Sequence, residues 1–147
     1  PANPTVDDNL YFSGSAGGTV TNNMTSGTIS SVNFITFNST AGAYTLAANA
    51  GSAGASGGTA LTVKGDIVNN SASTQTINTA LALGASSTGV ISTASGNITL
   101  AKLIQANGTI TVSAPGTKDL SALSLAGDLA GKAPTNIGTG TYLPPSP

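Results

Sequence analysis

Leu61-Thr62-Val63-Lys64-Gly65-Asp66-Ile67 decides the fold class of this chain. Its first, third and seventh positions are aliphatic and its second carries a hydroxyl. In an extended chain every second side chain shares a face, so Leu61 and Val63 point one way and Thr62 the other. Related strings recur at Ile98-Thr99-Leu100-Ala101-Lys102-Leu103-Ile104 and Leu123-Ser124-Leu125-Ala126-Gly127-Asp128-Leu129. Working outward, alternating or strand-forming runs appear at Val32 to Phe37, Ala43-Tyr44-Thr45-Leu46, Ile77 to Leu83 and Ile110-Thr111-Val112. Aromatic and β-branched residues suit such a pleated, half-buried surface.

Turn clusters separate these runs: Gly14 to Gly18, Asn22-Asn23, Gly51 to Gly58, Asn69 to Ser73, Gly84 to Gly89, Asn107-Gly108 and Pro115-Gly116. Asn and Gly reach left-handed backbone conformations at little steric cost. Strong helix formers are scarce. Leu120 to Leu129 has Leu120, Leu123 and Ala130 near helical spacing, but the alternation Leu123-Ser124-Leu125 predicts a strand. The copies of the aliphatic motif are irregularly spaced, as in a β-solenoid whose turns vary while its aliphatic stripe persists. The alternative is an antiparallel β-sandwich or jelly roll with strand exchange between subunits. Residues 1–133 are expected to form one β-rich domain, and 134–147 an extended proline-containing tail. The opening Pro1-Ala2-Asn3-Pro4 reads as a processed or excerpted chain.

Composition narrows the function. Of the 147 residues only 6% are charged, against about 25% in ordinary soluble domains. There is no Glu, Arg, His, Cys or Trp. An apolar fraction of 39% with net charge −1 favours collapse over disorder. No apolar run approaches the roughly 20 residues that a membrane-spanning helix needs, so no membrane span is expected. A near-neutral surface of Ser, Thr, Asn and Gly suits close lateral packing or glycan cover better than life as a free monomer.

The chain also resembles a known family. Val6-Asp7-Asp8-Asn9-Leu10-Tyr11-Phe12, Gly18-Thr19-Val20-Thr21 and Ile29-Ser30-Ser31-Val32-Asn33-Phe34 look like the opening strands of autotransporter-associated β-strand repeat proteins. Leu61 to Ser71, then Gln75 to Gly84, is similar to that family's run of strands ending in a leucine pair. Ala94 to Leu100 follows in the family's usual place. Gly108-Thr109-Ile110-Thr111-Val112 only partly echoes its later glycine-led strand. The resemblance spans roughly residues 6 to 112. It implies a right-handed parallel β-helix in a large secreted or surface-exposed protein, without catalytic residues.

Side chains that could do chemistry are few. Without His, the many Ser and Thr lack a base to activate them. Without His or Cys, zinc has no customary ligands. Asp7-Asp8 could form half a calcium site, although a turn before Leu10-Tyr11-Phe12 explains it more simply. Asp66 and Asp128 read as corner residues. Four scattered lysines make no basic patch, so no nucleic acid is expected as a partner. The glycines of 51–58 lack the Lys and helix of a phosphate loop. Tyr11, Phe12, Phe34, Phe37 and Tyr44 read as core filling rather than a sugar platform. The threonines show no strict period and read as ordinary solvent-facing strand residues. Glycosylation sequons fall at Asn23, Asn38, Asn69, Asn97 and Asn107.

No enzymatic activity and no cofactor are expected. The expected role is an extracellular or cell-surface structural protein, the subunit of a filament or fibre that joins through β-strand edges. Its main partner is then itself. The alternative is a passenger-type adhesin segment whose partners are surface glycans.

Overall fold

The computed structural model describes residues 5–23, 30–55, 60–83, 89–93, 96–100, 103–105, 110–113, 116–123, 135–136 and 141–147. Among them the regular structure is strand only. The all-β class read from the sequence is therefore correct. Every strand pair among the described residues is parallel, as a solenoid requires and an antiparallel sandwich does not.

The chain lays down its strands in successive passes. The first pass holds β1 (Asp8–Phe12) and β2 (Gly18–Asn22), and the second β3 (Ser31–Phe37) and β4 (Tyr44–Ala48). Three passes of three strands follow. They are β5 (Leu61–Val63), β6 (Ile67–Asn69) and β7 (Gln75–Ile77), then β8 (Leu81–Leu83), β9 (Gly89–Thr93) and β10 (Ile98–Leu100). Next come β11 (Leu103–Gln105), β12 (Ile110–Ser113) and β13 (Lys118–Asp119). The last pass contributes β14 (Thr135–Asn136) and β15 (Tyr142–Leu143).

One sheet runs β2-β4-β7-β10-β13-β15. The other is forked at β3. Its first residues pair with β5, its last three with β6, and β1 lies on it as well. The fork exists because Lys64, Gly65 and Asp66 bend the third pass where the second runs straight. Lys64 N and Gly65 N donate to Val32 O and Asn33 O, and Ile35 N donates to Asp66 O. These bonds keep the corner backbone satisfied while β5 and β6 diverge.

Alternation sets the core. Leu61 and Val63 are buried and Thr62 is half-buried between them, with the same pattern in β7 and β10. Register then turns each inward position into a column through the molecule. Leu46, Ile77 and Leu100 form one column, and Val32, Val63 and Leu83 another. Phe12 stacks on Phe37 with centroids 5.1 Å apart. Each buried Leu, Ile or Val contributes about 1.5–3 kcal/mol. Parallel sheets are ordinarily covered on both faces. Here no described helix covers the outer faces, and Thr, Asn and Ser occupy many of their positions.

Three sequence readings need correction. Ile77 to Leu83 is not one strand. The chain turns at Asn78–Ala80 and divides it between β7 and β8, which lie in different sheets. The strings at Leu61 and Ile98 are also not equivalent, since β5 lies in the forked sheet and β10 in the other. Each pass holds several short strands of similar pattern, so local likeness does not report position. The expected strand over Leu120 to Leu129 begins instead with a turn, in which Leu123 N donates to Leu120 O. Its remaining residues lie outside the described ones. At the C-terminus, residues 141–147 are extended as proline demands, and they are also docked. Tyr142–Leu143 pair with β13, and Ser146 N donates to Leu123 O.

Candidate functional site

Among the described residues no group of three carboxylates could hold a metal ion. Asp7-Asp8 forms a turn and a clamp. Asp7 adopts φ 66°, and the Asp8 carboxylate accepts from Thr5 N at 2.7 Å. The Asp7 carboxylate accepts from Ser31 Oγ at 2.5 Å and pairs with Lys64 at 2.7 Å. One side chain thus ties three passes together. Hydrogen bonds from Lys64 and Ser31 hold its pKa below the usual carboxylate value. Asp66 is exposed at the Gly65 corner, and Asp128 lies outside the described residues.

A polar corner joins the two sheets. Asn69 has no exposed surface, yet its Nδ2 donates to Asn97 O at 2.8 Å and Ser73 O at 3.0 Å. Its Oδ1 accepts from Ser71 N at 3.0 Å. Gln75, equally buried, donates to Gly42 O and Ser73 O and accepts from Tyr44 N. Asn69 therefore cannot accept a glycan in the folded protein, because its amide nitrogen is enclosed and engaged. Asn23 and Asn97 are exposed and Asn38 is half-buried. Asn107 lies outside the described residues.

Register brings together threonines that have no fixed sequence period. Thr19, Thr45, Thr76 and Thr99 occupy one column on four consecutive passes. Variable loops hide that alignment in the sequence. The outer face also carries Tyr11 and Phe34, which meet edge to face at 81°. Perpendicular rings do not make a coplanar platform for a sugar.

The largest departure from the interior pattern lies at the β1/β2 end. A cavity of about 320 Å³ opens there, lined by Leu10, Phe12, Val32, Ile35, Leu46 and Leu81 among others. β1 pairs only with β3, and β2 only with β4, among the described residues. Val20 is 41% exposed, whereas Leu46, its neighbour in the same inward column, is 7% exposed. The opposite end repeats this deficit. Tyr142 is half-buried below a fully buried Lys118. Sequence reading missed these two surfaces. The visible hint was an apolar Tyr142-Leu143 pair inside a proline-rich segment.

Lys118 and Tyr142 are register partners, and burial shifts both. Desolvation lowers the Lys118 pKa from 10.5 and raises that of Tyr142 from 10.0. The unfolded chain holds the Lys118 proton more tightly, so stability rises with pH in the alkaline range below 10.5. Above 10.0 only the unfolded chain readily loses the Tyr142 proton, and stability then falls. Urea unfolding against pH is expected to show an alkaline maximum, with the fall diminished in Tyr142→Phe. A midpoint that does not change with alkaline pH contradicts both shifts.

No family model matches the chain, and comparisons with curated proteins and with solved structures return no match. Among the described residues no helix is long and apolar enough to cross a membrane.

Proposed function

We propose that this chain is an extracellular structural protein, the subunit of a surface filament or fibre that self-assembles through β-strand edges. In this reading its parallel passes form a right-handed β-solenoid of the kind the autotransporter-associated repeat resemblance implies. Parallel crossovers are right-handed in about 98% of cases, which supports that hand. One observation carries the proposal: two long edge strands, β1 and β2, flank an open apolar cavity. An uncovered edge is a template for further strands. The scarcity of charge adds support, because little electrostatic repulsion opposes close approach of copies. The aromatic residues give the glycan-binding alternative no comparable observation, since Tyr11 and Phe34 are perpendicular.

Negative-stain microscopy of the purified chain over a concentration series is the test. Elongated particles are expected, growing with concentration and little affected by salt, since few charges are available to screen. Particles of monomer mass at every concentration, measured by light scattering, refute the proposal.

A further inference from the structure

We infer that the β1/β2 end is a docking surface for the β14/β15 end of a second copy, so that subunits join head to tail with strands parallel. This rests on the self-assembly reading and adds which surfaces meet. Three observations support it.

The two ends lack the same thing. Val20 and Tyr142 occupy inward positions in one sheet, yet each is more exposed than its column neighbours Leu46 and Lys118. Among the described residues each end therefore lacks one pass of cover. A neighbour that supplies a pass at one end receives one at its other.

Strand direction selects the partner end. Every described pair in both sheets is parallel, so the β1 and β2 edges are matched by strands running the same way. The β14/β15 end carries the same two sheets in that direction. Translation of one copy along the stacking direction brings β14 to β1 and β15 to β2 together. Contact between two like ends about a two-fold axis would make the new pairs antiparallel, with differently spaced hydrogen bonds. No described pair in this chain has that geometry.

The edges also carry little to prevent contact. β2 and β15 contain no charged residue, and the only charge on β1, Asp8, already accepts a hydrogen bond from Thr5 N. Protected edges usually carry inward charges, prolines or bulges within the strand; Pro144 and Pro145 follow β15 and leave Tyr142 and Leu143 with their own N–H groups. Among the described residues the one bulge, at Asp8/Asn9, leaves Leu10 to Phe12 regular. A head-to-tail contact does not close on itself, so it propagates as a fibre.

Cysteine pairing tests this directly, because the chain has no cysteine of its own. Thr19, Thr45, Thr76, Thr99, Asp119 and Leu143 share one outward column. Continuing that register across copies sets Leu143 of one beside Thr19 of the next. Adjacent strands lie roughly 4.8 Å apart, within disulfide reach. Both positions are exposed, so neither substitution disturbs the core. Under mild oxidation, T19C/L143C in one chain is expected to give a ladder of dimers, trimers and longer species. Each single variant is expected to give none. Val20→Lys, which places a charge at the open inward position, is expected to abolish the ladder when added to T19C/L143C. Its far-ultraviolet spectrum and urea midpoint should stay unchanged. Efficient dimers from T19C alone show that like ends meet and overturn the inference. Fibres without a T19C/L143C ladder also overturn it while leaving self-assembly standing. A native chain that never associates removes both.

Discussion

Gly96→Ala lowers the unfolding free energy by about 3 kcal/mol, a large share of what a domain of this size has to lose. Gly96 lies at the corner between the sheets, where its N–H donates to Ser71 O at 2.9 Å. A β-carbon there would overlap the carbonyl oxygens of Ser71 and Ser73 on the pass below. Both are backbone atoms, so no side-chain rotation relieves the overlap, and the corners must separate. Separation weakens the Gly96–Ser71 bond and the bond from Asn69 Nδ2 to Asn97 O across the same gap. Gly42 and Gly116 meet backbone of the preceding pass in the same way. The glycines at this corner thus serve close stacking, with no left-handed backbone required at Gly96. Urea unfolding followed by circular dichroism reads the loss directly. An unchanged midpoint would mean that the corner has room the geometry denies.

Asn69→Ala is expected to cost about 2 kcal/mol by a different route, through one N–H left without its acceptor and two carbonyls that each lose one of two donors in a buried corner. Ser71 N loses its acceptor, while Ser73 O keeps the bond from Gln75 Nε2 and Asn97 O keeps the bond from Gln75 N. Asn69→Asp should be worse near neutral pH, because an ionised carboxylate cannot donate and would face two carbonyl oxygens. Acidification should recover part of that loss by protonating the carboxyl. The same urea measurement, made on both variants at neutral and acid pH, checks the ordering. Equal midpoints for Asn69→Ala and the unsubstituted chain would show that water satisfies the corner without the side chain.

The two substitutions separate what could be read in advance from what could not. The period-two alternation in Leu61-Thr62-Val63 and Ile98-Thr99-Leu100 was legible, because the two faces of a strand are a local consequence of backbone geometry. Asn69 was legible only as one of five sequons and as the start of a turn cluster. Its burial follows from where the third pass turns, and no local signal marks it. Gly96 was one of 19 glycines. Its importance depends on a pass laid down more than twenty residues earlier. Tyr142 and Leu143 looked like part of a loose tail because proline rules describe conformation, not docking. The Thr19–Thr45–Thr76–Thr99 column escaped a search for fixed periods because the loops between passes differ in length.

By itself the sequence determined the strand class, the choice of inward aliphatic residues, the polar character of the exterior and the absence of His and Cys. Those are properties of single residues and their nearest neighbours. Only the tertiary structure decided register, the division of Ile77 to Leu83 between two sheets, the buried Asn69–Gln75 corner and the open apolar end at Val20. These depend on which distant segments share a hydrogen-bonded edge. That choice is made by the combined burial of many side chains, which no seven-residue string contains.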